Sequence, residues 1–401
     1  MAIMDTPQTH LAEFAVRQNL TEQEARPTLH QNSRANTLAT IADHMHEGDI
    51  TAARQLAEAC LVAWNSPEAQ QDTLTVLWHH GNTSRELGDA EAALQTHVSA
   101  IEQHATIETN DTNWHTFGTA LEQARLLDLK MAGKQVEALH RSSLLADKLE
   151  LTYLHSNTPN HPHLSSARLQ LSDSQYRMMA FRDAYNSSEE VASQHEQQDD
   201  DASHLTLLLA RAKMARAQRE LLDPIGAQAL LAETAPQLAK LLGNDHPETL
   251  LAFSDLATTE RALGSPQDAS ELRMHIYNRF RELYGESHPY TFSTQSNLAI
   301  DLHRAGDEMS ALAHGVSAYE YAKKSPRLSS HTGMAAANLA AVQLLRSNRP
   351  QALTLLMEAG MHFEETLGHK HPSTSDVYRQ VNAIQRGLVA DPNLDFELRV
   401  A

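Results

Sequence analysis

The sequence is poorest in what a disulfide-stapled, β-rich or membrane-spanning protein would need. Cys60 is the only cysteine in 401 residues, so neither an intrachain disulfide nor a thiolate metal cluster is available. That usage suits a reducing cytoplasm, which is the expected location. Glycine stands at 15 residues and aromatics at 5%; the glycine share is roughly half the usual value of about 7%. A sheet protein of this length would call for more turn glycine and more β-branched and aromatic side chains. No run approaches the ~18 apolar residues that a bilayer-crossing helix needs. The opening Met1-Ala2-Ile3-Met4-Asp5-Thr6 has neither the basic region nor the apolar run of a signal peptide. Positive charge is scarce too: 32 Lys and Arg against 51 Asp and Glu leave a net charge of −19. This weighs against a nucleic-acid partner, whose affinity comes from a basic face, and against an anionic membrane surface.

What the sequence does contain is a repeat. Leu242-Gly243-Asn244-Asp245-His246-Pro247-Glu248-Thr249 returns as Tyr284-Gly285-Glu286-Ser287-His288-Pro289-Tyr290-Thr291. It returns again as Leu367-Gly368-His369-Lys370-His371-Pro372-Ser373-Thr374, with a trace at Ser330-His331-Thr332. The motif is a helix stop followed by a helix start: glycine at the left-handed C′ position, then proline in the first turn. Asp255-Leu256-Ala257, Asn297-Leu298-Ala299 and Asn338-Leu339-Ala340 echo one another downstream of the starts. An alanine early in each return helix recurs as Ala53, Ala93, Ala138, Ala184, Ala227, Ala269, Ala311 and Ala352, which marks eight hairpins. Breakers separate their helices at Gly48, Gly88, Gly133, Pro224, Gly264, Gly306 and Pro350; the fourth turn, near Ala180, has none.

The second hairpin, with Gly81, Leu87-Gly88-Asp89, Ala93 and Ala100, resembles the tetratricopeptide repeat consensus. The longer units from about His204, with their Gly-x-x-His-Pro-x-Thr starts, look like the kinesin-light-chain variety of that repeat. The resemblance implies an all-α fold, a right-handed α-solenoid of eight hairpins with N- and C-terminal capping helices. The expected organisation is an N-terminal cap segment over 1–32, a solenoid over 33–388 and a tail over 389–401. Hairpins are expected near 33–64, 69–104, 113–150, 163–197, 203–241, 247–284, 289–324 and 331–367, and a closing helix over 372–388. Within the cap segment, residues 7–19 read as a helix with Leu11, Phe14 and Ala15 inward. In the tail, Leu394, Phe396, Leu398 and Val400 alternate with polar residues at period two.

Catalytic signals are missing. The histidine pairs His44/His46, His79/His80, His161/His163 and His369/His371 lack zinc-motif spacing, and neighbours so close point to different faces of a helix. No metal and no cofactor is expected. Ala132-Gly133-Lys134 lacks the upstream glycine of a phosphate-cradling loop, and no Gly-x-Ser-x-Gly elbow occurs. Cys60 falls at a small packing position. The reading is of a protein that is not an enzyme.

One pattern stands out. In the alanine register, the twelfth position of each hairpin's first helix reads Met45, Arg85, Lys130, Tyr176, Arg219, Arg261, His303 and Leu344. Adjacent inner positions add Arg177, Lys213, Arg216 and Arg304. A basic stripe on a concave wall of an acidic protein would draw an acidic peptide segment of a partner, because the curved wall concentrates its field. The family resemblance implies that Asn297 and Asn338 hydrogen-bond that segment's backbone. The same cations could instead pair with acids on neighbouring helices, and helix C-termini favour cations in any case. The expected function is therefore a scaffold or adaptor that binds a partner polypeptide in its groove. The alternative is a ligand-responsive sensor of the helical-repeat pheromone-receptor type. Self-association, with the acidic tail entering a basic groove, is a further expectation.

Overall fold

Two capping devices, repeated along the chain, decide where its helices begin. Residues 34–46, 49–64, 69–107, 112–155, 161–198, 200–324 and 330–388 are described in the computed structural model. Seventeen α-helices and no strand lie among them. They pair as α1 (Arg34–His46) with α2 (Ile50–Ala63), α3 (Gln70–Glu86) with α4 (Ala90–His104), and α5 (Thr112–Met131) with α6 (Gln135–His155). Next come α7 (Pro162–Arg177) with α8 (Phe181–His195), α9 (Asp201–Glu220) with α10 (Pro224–Leu242), and α11 (Pro247–Ala262) with α12 (Pro266–Tyr284). The last pairs are α13 (Pro289–Arg304) with α14 (Glu308–Ala322) and α15 (Ser330–Leu345) with α16 (Arg349–Thr366), before a lone α17 (Pro372–Gln385). The eight-hairpin α-solenoid is thus the fold. The expected 7–19 helix with Leu11, Phe14 and Ala15, the turn at Gly48, and the alternating tail all lie outside the described residues.

Second helices start on aspartate. Asp49, Asp89, Asp223 and Asp307 each accept a hydrogen bond from the backbone N–H three residues on, at 2.9–3.1 Å. First helices often start on the His-Pro pair instead. His161, His246, His288 and His371 use ring Nδ1 to accept the N–H two residues on, at 3.2–3.3 Å. This cap needs a neutral imidazole, and the environment supplies one: burial holds His161, His246 and His371 below the usual histidine range. The histidines of the sequence motif are therefore helix caps.

The hairpin turns share one geometry. At Gly306 the chain takes φ 89°, its N–H bonding back to His303 O while Asp307 N–H bonds to Leu302 O. The fourth turn, with no breaker in sequence, does the same with Met179 at φ 60°, and Leu222 and Ser347 stand at φ 70° and 58° in the fifth and eighth. A left-handed residue with a side chain costs roughly 1–2 kcal/mol, so these three turns are held by the helices they join.

All eight register alanines are at most 1% exposed, which lets the helices approach closely. Buried apolar residues form local clusters along the stack. One runs from Ile41 to Val76, another from Leu208 to Ala252, another from Phe292 to Val381, as expected when each unit packs on its neighbours. The chain divides into two compact units, Met1–Asp128 and Leu129–Ala401, with the division inside α5.

Within the second unit the stack meets itself. The Ser330 hydroxyl donates to Gly133 O at 3.3 Å, 197 residues away in sequence, and the Ser373 hydroxyl lies 3.7 Å from Met179 Sδ. Met178 packs on the cluster formed by α13 to α17 and lines a cavity with Leu367, Gly368, His369, Lys370, His371 and Pro372. The turn ends of the third and fourth hairpins thus sit against the starts of α15 and α17. His331 is buried at this edge, and burial together with Arg177 lowers it to about 3.

Leu222 is 91% exposed, so its φ is strained with no packing in return. Leu222→Gly should raise stability by about 0.5–1 kcal/mol, the αL relief less the extra freedom of glycine in the unfolded chain. A urea midpoint that falls would refute the strain. The histidines make a second prediction. Their folded-state affinity for protons is below that of the unfolded chain at about 6.5, so the unfolded state binds protons first as pH falls. Stability should be nearly level from pH ~7.5 to ~7 and decline below ~6.5, with His331 alone contributing up to about 1.4 kcal/mol per pH unit until it nears 3. Lys130, lowered to about 8, exerts most of its effect between about pH 10.5 and 8, above that window. Urea melts from pH 7.5 to 4.5 read this directly; a constant midpoint down to pH 5 would contradict it.

Candidate ligand-binding groove

First helices of successive hairpins contact one another: α1 with α3 in the first unit, and α7, α9, α11, α13 and α15 in series in the second. Within each unit, first helices therefore form one continuous face of the stack. The candidate residues Arg85, Lys130, Arg177, Lys213, Arg216, Arg219, Arg261, Asn297, His303, Arg304 and Asn338 all lie on these helices.

Most of the stripe's charges are matched by acids about one repeat away. Arg85 Nη1 donates to Asp128 Oδ1 at 2.9 Å and its Nη2 to Asn82 Oδ1 at 2.6 Å. Asp128, fully buried, also bonds His97 Nδ1 at 2.5 Å. His97 in turn lies against Gly81, where an added Cβ would come within 2.4 Å of its Nε2, so the glycine of the repeat consensus makes room for this network. Arg261 Nη1 donates to the fully buried Asp301 Oδ1 at 2.5 Å. The second carboxylate oxygen takes Arg273 of α12, whose other nitrogens donate to Ser254 Oγ at 2.6 Å and Thr258 Oγ1 at 2.7 Å. Removing one member of such a buried pair typically costs about 3–5 kcal/mol, since the other charge is stranded.

A denser group forms where α5, α7 and α9 meet. Asp173 Oδ1 accepts Arg216 Nη2 at 2.6 Å; its Oδ2 accepts Lys213 Nζ at 2.7 Å and stands 3.5 Å from Lys130 Nζ. The Arg216 guanidinium lies 4.1 Å from the centre of the Tyr176 ring, a cation–π contact. The Tyr176 hydroxyl donates to Glu220 Oε1 at 3.2 Å and accepts Arg219 Nη2 at 2.7 Å. Arg219 also bonds Glu220 Oε1 through Nε at 3.0 Å and reaches Asp255 O at 3.4 Å. Burial pulls Lys130 down to about 8; Asp173 opposes this, and Lys213 and Arg177 reinforce it. Arg177 ends α7, half-buried, between this group and His331.

The remaining candidates lie further along the second unit. Asn338, 1% exposed, donates to Ser296 Oγ at 3.0 Å across successive first helices. Asn297 and His303 are buried on α13, and Arg304 is half-buried at its end. The structure thus gathers Lys130, Arg177, Lys213, Arg216 and Arg219 into one place, sets Arg261 beside Asp301, and holds Arg85 in the first unit's own network. Sequence reasoning did not single out Asp128, Asp173, Asp301 or Arg273. The signal was present in spacing: Asp128 follows Arg85 by 43 residues, Asp301 follows Arg261 by 40, and Arg216 follows Asp173 by 43.

Among the described residues no group of three or more His, Cys, Asp or Glu could hold a metal ion, and no helix is long and apolar enough to cross a membrane. Cys60 is buried, and burial pushes its thiol up to about 12, which leaves it unreactive.

Comparison with known proteins agrees with this architecture. Residues 257–324 match the tetratricopeptide repeat model. No curated protein matches the sequence. Among solved structures, a Rap protein complexed with competence and sporulation factor aligns at 13% identity and TM-score 0.51, covering 88% of this chain and 98% of that one. The apo quorum sensor NprR from B. thuringiensis aligns at 10% identity and TM-score 0.49, over 94% and 96% of the two chains. A kinesin light chain with nearly identical repeats from Podosopora anserina aligns at 22% identity and TM-score 0.40, over 51% and 98%.

Proposed function

We propose that this tetratricopeptide-repeat chain is a non-enzymatic adaptor that holds an acidic segment of a partner protein along the inner wall of its first helices. The observation that carries the reading is the gathering of five cations on α5, α7 and α9 of a chain whose net charge is −19. The overall field repels acidic ligands, and the wall locally reverses it. Lys213, Arg85 and Arg261 keep 10–13% of their side chains exposed, so each can touch a ligand without leaving its carboxylate. Arg177 and Arg304, half-buried, extend the basic surface; the buried Arg219 and His303 back it, and Asn297 and Asn338, also buried, would have to turn outward to offer amides to a bound backbone. The buried Lys130 and Arg216 act mainly by their field.

A second reading, a ligand-responsive sensor, draws support from the edge contact between residues 133–179 and 330–373. If that contact parts and rejoins, a ligand favouring one arrangement would shift the balance. The Rap protein of similar fold is complexed with competence and sporulation factor, which accords with a bound ligand in a stack of this kind.

Fluorescein-labelled 12-residue peptides graded from acidic to basic test the adaptor reading by fluorescence anisotropy. Acidic peptides should bind most tightly and weaken severalfold between ~0.1 and ~0.5 M salt. Arg304→Glu should weaken them further with helical content unchanged. Equal binding across the series, or affinity indifferent to salt, would overturn the electrostatic groove.

A further inference from the structure

The stack of the second unit returns on itself along a narrow seam. On one side are the turns that follow α5 and α7; on the other are the first residues of α15 and α17. Two side-chain hydrogen bonds cross it, from Ser330 Oγ to Gly133 O at 3.3 Å and from Ser373 Oγ to Met179 Sδ at 3.7 Å. The Arg177 main chain reaches the His371 ring, and Met178 packs on the terminal apolar cluster. A cavity of about 490 Å³ opens beside Met178 and Leu367, so the seam is incompletely filled. Each side also keeps its packing on neighbouring helices, so parting the seam breaks few contacts.

Two histidines are sealed into it. His331, in the first turn of α15, is 3% exposed, and His371, the N-cap of α17, is 6% exposed. Burial lowers the proton affinity of both, His331 to about 3. Each ring sits at a helix N-terminus, where the dipole disfavours positive charge. His371 Nδ1 already accepts the Ser373 N–H, so a proton on that nitrogen removes the cap. His331 Nε2 is buried with no hydrogen-bond partner, so a charge on that ring finds no acceptor there.

The surrounding charges do not reverse this. Arg177 of α7 acts on His331 and opposes its protonation, and Lys134 follows Gly133. The end of α14 meets α15 where Thr332 Oγ1 donates to Ala322 O at 3.1 Å, and Lys323 and Lys324 come next in the chain. From α16, His362 lies against Gly333 and faces Glu358 at 4.0 Å. Ahead of His371 stand Lys370 and His369, the latter bonded to Glu364 at 3.1 Å.

We infer that the seam is a proton-operated latch, closed while His331 and His371 are neutral and parted when they take up protons, with the helices on both sides still folded. A histidine that holds protons less well in the closed form binds them preferentially in the open one. Closure is therefore favoured above about pH 6.5 and lost progressively below it. With His331 at about 3 when closed and roughly 6.5 when open, the open-to-closed ratio rises about tenfold between pH 7.5 and 5.5. His371 adds to this in the same direction. The latch needs no bound molecule and is independent of what the groove takes.

The test uses the full chain with the buried Cys60 replaced by alanine. Spin labels on Val136→Cys and Ser375→Cys, exposed positions on α6 and α17, report the distance across the seam by pulsed electron spin resonance. From pH 7.5 to 5.5 the ratio of long to short distances should rise about tenfold or more, with the far-ultraviolet circular-dichroism spectrum unchanged. His371→Asn keeps a capping side chain but takes no proton, and should shrink the response. Adding His331→Phe should abolish it; should that pair fold poorly, the loss in His371→Asn alone still has to appear. One distance distribution at both pH values would overturn the latch. A response undiminished in these variants, or one that appears only as helical signal is lost, would do the same.

Discussion

A buried aspartate that bonds a cation about one repeat away is the constraint on which the inner wall depends. Asp128, Asp173 and Asp301 are at most 4% exposed, and each bonds a cation of a neighbouring first helix: Arg85, Arg216 and Arg261. A buried charge tolerates no slippage, because a helix shifted by one residue would strand both partners. The alanines allow the helices to approach, and apolar clusters supply the stabilising burial. The carboxylates fix which turn of one helix faces which turn of the next. The separations of 40 to 43 residues are the repeat length expressed as electrostatics.

This arrangement also sets the terms for function. Charge used to join helices is only partly open to a ligand, so the wall's affinity for an acidic segment depends on local surplus. The Arg177 charge, at the end of α7, acts on both Lys130 of the Asp173 group and His331 at the edge of the second unit.

Much of the fold was legible in the sequence because its devices are local. The His-Pro starts, the glycine turns and the eight alanines each act within one or two helical turns, and a fixed period exposes them. The fourth turn was legible only through that period. Met179 has no turn propensity, and the packing of α7 against α8 forces its left-handed φ. The inner stripe was legible as a set of positions, and its chemistry was not. Arginines stood out because cations are scarce in this chain. Their aspartate partners disappeared among 51 acidic residues. Arg273 could not be anticipated at all, since it reaches Asp301 from a second helix, outside the register that defines the wall.

The most direct measurement is the stability of Asp301→Asn, alone and combined with Arg261→Met, by urea unfolding of the full chain. If the buried carboxylate joins successive first helices, the single variant should lose about 3–5 kcal/mol, and adding the second change should cost clearly less than the sum of the two. A single variant within about 0.5 kcal/mol of the parent, with strictly additive effects, would show that the ion pair holds nothing together.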